Sequence, residues 1–504
     1  MSNHLFDAIC AAAPGHAPFI LLKDGTVWTY DDAIALSGQL AGAIRRLGVT
    51  PGDRIAVQVE KSAEALILYL ACLRAGAIYL PLNTAYTLAE LDYFIGDAEP
   101  RLVVVSQRAR EGVLAIAEPR GAIVETLEAD GTGSLIDLAR NEPSDFSNAP
   151  REPDNLAAIL YTSGTTGRSK GAMLSHHNLL SNALTLKDYW RVTAQDRLIH
   201  ALPIFHTHGL FVATNVTLLA GASMLLLPKF DPDEVLGLMP QATMLMGVPT
   251  FYVRLLQSAA LDHAATSGMR LFVSGSAPLL AETHAEFFRR TGHAILERYG
   301  MTETNMNTSN PYDGERIAGT VGFPLPGVTV RITDPASGAV LAAGETGMIE
   351  VSGPNVFKGY WRMPEKTAAE FNADGFFITG DLGKIDAKGY VHIVGRGKDL
   401  VISGGYNIYP KEVESEIDQL EGIVESAVIG VPHPDFGEGV TAIVVRKANA
   451  AVDERAILAA LQDRLARYKQ PKRIIFAEDL PRNTMGKVQK NVLRERYAAL
   501  YQPA

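Results

Sequence analysis

Apolar and polar positions alternate along this chain in two rhythms that take turns. Runs such as Arg54–Val59, Ile78–Leu82 and Leu102–Val105 are short, β-branched and bounded by turn residues, so they predict strands. Between them Ala63–Gly76 and Leu88–Asp97 carry helical spacing. A second series predicts strands at Ala157–Tyr161, Leu198–Leu202, Ser223–Leu227, Thr243–Val248 and Leu271–Ser274, each followed by a helical stretch. Strand–helix alternation implies mainly parallel sheets covered by helices, with ligands gathering where strand C-termini meet. After about Gly319 prolines and glycines become frequent, and Met348–Val351 and Tyr390–Val394 suggest antiparallel strands. Gly395–Asp399, small and charged, suits a hinge. Beyond it helices are expected at Lys411–Leu420 and Ala456–Tyr468, and strands at Ala427–Val431, Thr441–Val445 and Ile474–Phe476.

The expected fold is therefore α/β. A large N-terminal domain, residues 1–396, has mainly parallel helix-flanked sheets plus a β-rich subdomain. A small mobile α+β C-terminal domain spans 397–504. Composition narrows the function classes. A net charge of −10 argues against non-specific nucleic-acid binding. Two cysteines, Cys10 and Cys72, exclude a disulfide scaffold and a Cys-rich metal site. No signal-like N-terminus is visible, and the apolar run Ala65–Leu73 is too short to span a bilayer, so a cytoplasmic protein without a membrane partner is expected.

The segment Tyr161-Thr-Ser-Gly-Thr-Thr-Gly-Arg-Ser-Lys-Gly171 carries the most chemistry. Gly164, Gly167 and Gly171 permit close backbone approach, while Thr162, Ser163, Thr165 and Thr166 offer hydroxyls and Arg168 and Lys170 add charge. Such a loop suits a triphosphate, although it lacks the Gly-Lys-Ser/Thr of a P-loop. It leaves a predicted strand and enters a helix near His176.

Here the chain resembles the acyl-adenylate-forming superfamily of acyl-CoA synthetases, luciferases and nonribosomal adenylation domains, with Ser169 where that family usually has proline. The resemblance covers nearly the whole chain and implies ATP and CoA as co-substrates with Mg²⁺. Tyr299-Gly-Met-Thr-Glu-Thr304 resembles the motif whose glutamate holds Mg²⁺; Glu303 and Thr165 take the metal role, Tyr299 the adenine and Thr302 the α-phosphate. Ser276 and Ala277 should pass beside the adenine and acyl chain, and Glu297 joins the nucleotide set. Asp381 and Arg396 should hold the ribose, and Lys487 the carboxylate and α-phosphate, where a point cation offsets repulsion between anions. The resemblance also implies rotation of the small domain about Lys398, bringing Gly404, Gly405 and Tyr409 beside a CoA tunnel, and makes Lys487 a candidate for regulatory acylation.

For the acid, the phrasing of several segments is similar to that of the malonyl-CoA synthetases within the superfamily. That implies malonate as the acid, made first into an acyl-adenylate and then into a thioester. His206 would assist Arg254, read as a buried arginine requiring an anionic partner. Lys487, Lys170, Arg168 and His206 form the catalytic set. Ser276, Met301, Asn305 and Met306 would shape the acid pocket. Arg168 suits phosphate or substrate equally. A ligase for short monocarboxylic or aryl acids, an adenylation enzyme loading a carrier protein in trans, a luciferase-like oxygenase and a non-catalytic binding protein remain alternatives.

Overall fold

In a computed structural model the described residues are 2–162, 169–403, 406–462, 464–483 and 486–502. They form four sheets. The first runs in the order Ile123–Thr126, Leu102–Val105, Arg54–Gln58, Ile78–Pro81, Leu156–Thr162 and Lys170–Ser175. Its strands are parallel except the last, which pairs antiparallel with Leu156–Thr162 from Leu156↔Ser175 to Thr162↔Lys170. The phosphate-loop motif thus joins two antiparallel strands, and only then does the chain enter the helix His176–Tyr189. The direct strand-to-helix passage expected from the sequence is interrupted because Lys170–Ser175 is itself apolar enough to serve as the outer strand. Ser175 then caps the helix, exchanging hydrogen bonds with Asn178.

The second sheet has a parallel centre made of Leu296–Met301, Leu271–Ser274, Met244–Gly247, Arg197–His200, Ser223–Leu226 and Pro18–Leu21. Antiparallel strands edge it on both sides. The two sheets share one large core with the helix Ala63–Ala75, whose residues are buried on all sides except at Glu64. Ser62 caps its start and Gly76, at φ 73°, ends it. An apolar run of this length is explained by a helix packed on all sides rather than by a membrane. No described helix is long and apolar enough to cross one.

A third, antiparallel sheet comprises Thr329–Thr333, Gly347–Ser352, Phe377–Ile385 and Val391–Arg396. The fourth lies beyond residue 400 and is built on the long hairpin Ile423–His433 and Gly437–Arg446, with Arg473–Ala477 added in parallel. It has its own two cores. The helix expected over Ala456–Tyr468 is Glu454–Leu461 only. After Leu461 the chain turns so that Leu465 and Ile474 fill the same core, which a straight helix could not arrange. A further helix, Lys490–Tyr497, escaped the sequence reading because its polar face dominates and, of its eight residues, only Leu493 is buried.

Candidate functional site

The pairing of Phe377–Ile385 with Val391–Arg396 places Asp381 opposite Arg396. Asp381 is buried; its Oδ1 meets Arg396 Nε at 3.0 Å and its Oδ2 accepts from the Tyr299 hydroxyl at 2.6 Å. Thr379 Oγ1 accepts from the Asp381 N–H at 3.0 Å and fixes the turn. The carboxylate beside Arg396 raises that guanidinium above its usual range, while burial and Asp381 push the Tyr299 hydroxyl well up. Tyr299, Asp381 and Arg396, picked from separate motifs, therefore form one hydrogen-bonded cluster.

Lys487 reaches the same cluster from the C-terminal unit. Burial, with Arg396 nearby, lowers its amine to about 8, against the opposing pull of Asp381. With Ala277, Thr250 and Gly486 it lines a cavity of about 130 Å³ at the start of the helix Pro249–Leu256. Lys398 is exposed, and its neighbour Asp399 pairs with Arg494 at 2.9 Å. Tyr409 lines a larger cavity of about 460 Å³ together with Lys384, His392, Lys411 and Lys469.

Glu303 is buried and makes no ion pair among the described residues. Its Oε1 lies 3.0 Å from the Tyr360 hydroxyl, which is also 2.6 Å from Glu370. Burial raises the Glu303 carboxyl above its ordinary value. Lys170 Nζ sits 3.0 Å from Glu370 and 4.0 Å over the Tyr360 ring. A buried, uncompensated carboxylate next to the phosphate-loop strand fits a hard cation that keeps phosphate oxygens as its other ligands. No cluster of three or more metal-binding side chains exists among the described residues. Tyr360 and Glu370 escaped the sequence reading; the Gly-Tyr-Trp phrase at 359–361 was the available signal. Thr162 Oγ1 lies 3.5 Å from the Lys170 carbonyl, Thr302 is half-buried, and Glu297, pushed by burial to about 8, accepts from the Gly319 N–H at 3.1 Å. Ser163, Gly164, Thr165, Thr166, Gly167, Arg168, Gly404 and Gly405 lie outside the described residues.

The acid end corrects one premise. Arg254 is exposed, and its guanidinium lies 5.2 Å over the Phe230 ring. It sits one helical step from the buried Phe251 and Leu255 and turns outward, so its charge stays hydrated and needs no anion. The buried arginine without a partner is Arg298 instead. Its Nε and Nη2 have no hydrogen-bond acceptor, and burial lowers it to about 9. A side chain at Gly275 would come within 2.3 Å of its guanidinium carbon, so only glycine admits it there. The neighbouring Ser276, held at φ 71°, has its hydroxyl 3.4 Å from His208 Nδ1. His208 Nε2, Thr207 Oγ1 and Ser274 Oγ are buried and unpaired as well. Burial drops His206 to about 4, so its ring is neutral at pH 7. The Met306 methyl packs against Gly300, Asn305 donates to the Asn355 carbonyl at 3.2 Å, and Met301 pairs with Asn305 across the hairpin. Arg298 directly precedes the Tyr299–Thr304 motif; its strand position promised burial, but only the fold reveals the missing acceptor.

Comparison with known proteins accords with this geometry. The chain matches the AMP-binding enzyme family over residues 6–361 and the AMP-binding enzyme C-terminal domain over 412–487. ATP-bound MatB from Rhodopseudomonas palustris is 64% identical over 100% of both chains with a TM-score of 0.98; the apo form of that protein scores 0.88. A malonate–CoA ligase of Arabidopsis thaliana is 35% identical, covering 91% of this chain and 80% of its own. A feruloyl-CoA synthase from an Amycolatopsis species is 38% identical over 94% of each. Relatives at this distance are named for quite different acids. With both of its units matched in order, the chain belongs to the AMP-binding enzyme family.

Proposed function

We propose that this protein is an ATP-dependent malonate:CoA ligase. Malonate attacks the α-phosphate of ATP, giving malonyl-AMP and pyrophosphate; the CoA thiol then attacks the acyl carbon, giving malonyl-CoA and AMP. The observation that carries the choice of acid is Arg298, buried with two unpaired nitrogens and close enough to His208, itself with an unpaired ring nitrogen, for the two to interact. A second carboxylate satisfies them, whereas a monocarboxylate leaves a desolvated cation. The likeness to a malonate–CoA ligase supports the same reading.

In this reading Arg298 and Ser276 grip the distal carboxylate, with neutral His206 and His208 alongside and Met301, Asn305 and Met306 as pocket wall. Arg254 is given no such role. Thr162, Lys170 and the loop 163–168, including Arg168, surround the phosphates; Tyr299, Ser276, Ala277, Glu297 and Thr302 surround the base and α-phosphate. Asp381 and Arg396 take the ribose. Glu303, joined by Thr165, would hold Mg²⁺, which neutralises phosphate charge when bound. Lys487 stands between carboxylate and α-phosphate, holding a positive charge where two anions must meet. The higher score against the ATP-bound relative than against its apo form supports an arrangement suited to this first step. For thioester formation residues 397–504 turn about Lys398 as one body, which withdraws Lys487 and brings Gly404, Gly405 and Tyr409 to the CoA channel. Acylation of Lys487 would require the same withdrawal, since the amine is enclosed in the present arrangement.

AMP release with ATP, Mg²⁺ and CoA, measured across malonate, methylmalonate, succinate, acetate, propionate and benzoate, tests the acid. Malonate is expected to lead acetate by about 10²-fold, the worth of two charge-assisted hydrogen bonds at roughly 1.5–3 kcal/mol each less desolvation. A preference for acetate or benzoate overturns the choice of acid and leaves the ligase chemistry standing.

A further inference from the structure

Outside the groups already assigned, one buried cation stands apart. Lys61, just before the helix Ala63–Ala75, belongs to the first sheet's half of the core yet reaches across to the second sheet. Burial pushes its amine well below the usual lysine range, yet Nζ faces three acceptors, which only the three N–H donors of the protonated form satisfy: His200 Nδ1 at 2.9 Å, the His200 carbonyl at 2.7 Å and the Leu202 carbonyl at 2.8 Å. Because the Gly209 carbonyl, 2.9 Å from His200 Nε2, can only accept, the ring proton resides on Nε2 and Nδ1 is left to accept from Lys61. Thr214 Oγ1 donates to the same carbonyl at 3.0 Å.

These bonds tie the end of the strand Arg197–His200 to the start of the wide π-type helix His208–Thr214. Between the two tied points lies the segment carrying His206, Thr207 and His208. The chain doubles back there so tightly that a Cβ at Gly209 would come within 2.0 Å of the Pro203 carbonyl. Lys61 Nζ holds the pocket segment at two points, through His200 and directly at the Leu202 carbonyl.

We propose that Lys61 is a positioning residue for acid recognition: its ammonium, acting through His200 and on the Leu202 carbonyl, clamps the 201–209 segment and so sets where His206, Thr207 and His208 meet the acid. The inference rests on the acid pocket proposed above but not on the acid's being malonate. A segment freed of its clamp misplaces three pocket side chains while the ribose cluster of Asp381, Arg396 and Tyr299, on other elements, stays as it was.

The test is steady-state kinetics of Lys61→Met, His200→Phe, His200→Gln and the double variant K61M/H200F, with whichever acid the unaltered enzyme uses best. Lys61→Met should raise KM for the acid about tenfold or more while KM for ATP stays within about twofold, as expected when a pocket wall shifts by a fraction of an ångström. His200→Gln keeps an acceptor and a donor and should restore the acid KM to within about threefold of the starting enzyme, where His200→Phe does not. The double variant should be no worse than the worse single one, because both remove the same clamp. An unchanged acid KM in folded Lys61→Met, or a parallel rise in KM for ATP, overturns the proposal. If Lys61→Met fails to fold, a His200→Phe enzyme with unchanged acid KM overturns it equally. Malonate proving a poor substrate would refute the choice of acid and leave this test intact.

Discussion

The nucleotide end and the acid end of the site are built on opposite electrostatic plans. At the proposed nucleotide end most charges already have protein partners, Asp381 with Tyr299 and Arg396 and Lys170 with Glu370, Glu303 being the exception. At the acid end Arg298, His208 and Thr207 are buried with donors left open. On the proposed reading ATP would enter such a paired site by exchange of partners, and selectivity there would rest on geometry. An unpaired buried donor set costs stability until an anion arrives, and that cost is what separates a dicarboxylate from an acid lacking the second charge.

The contrast can be broken most sharply at the group shared by both ends. Lys487→Ala is expected to lower adenylate formation by about 10²–10³-fold, as for loss of a transition-state cation. Thioester formation from supplied acyl-adenylate should stay within about threefold in the same variant. Rapid-quench measurement of each half-reaction separates the two, and equal losses would deny Lys487 its place in the first step alone. Arg298→Ala should reduce kcat/KM for malonate about 10²-fold while leaving KM for ATP within about twofold. A similar fall on acetate would mean that the arginine holds the fold rather than the acid.

A pH profile gives a smaller but sign-specific effect. In the proposed first step Lys487 works as a cation, and burial brings it from the usual lysine range to about 8. Raising the pH through that value removes the charge, so kcat/KM for ATP in the first half-reaction should fall on the alkaline side with a limb near pH 8. A profile flat to pH 10 would place Lys487 in a more hydrated setting. The smallest effect is expected at Arg254→Ala: about threefold or less on malonate KM, since an exposed guanidinium over Phe230 contributes little beyond packing. A loss as large as that at Arg298 would restore Arg254 to the carboxylate and reverse the comparison drawn here.

Much of this architecture was legible as pattern. The run Ala63–Gly76 reads as a helix and is one, stopped where Gly76 takes positive φ. The parallel strands of the second sheet follow from short apolar runs separated by helical spacing. What pattern reading missed were elements whose local signal is weak or overruled: the outer strand Lys170–Ser175, the early end of Glu454–Leu461 and the polar helix Lys490–Tyr497. Each is decided by what packs against it.

The site divides the same way. Motifs recurring in a set order pointed to Tyr299, Glu303, Asp381, Arg396 and Lys487, because nucleotide chemistry demands particular groups at particular strand ends. Sequence also proposed an arginine for the acid but chose by phrase and helix, and took Arg254. Whether an arginine is hydrated or buried without an acceptor is not a local property; it depends on which way a helix turns and on Gly275 leaving room for a guanidinium. By itself, then, the sequence determined the alternating sheets, which follow from short-range periodicity, and through its family resemblance it named the groups proposed to handle the nucleotide. Only the tertiary structure decided that Arg298 is the desolvated cation and that Lys61 reaches across to His200, since both depend on contacts between segments more than 20 and more than 130 residues apart.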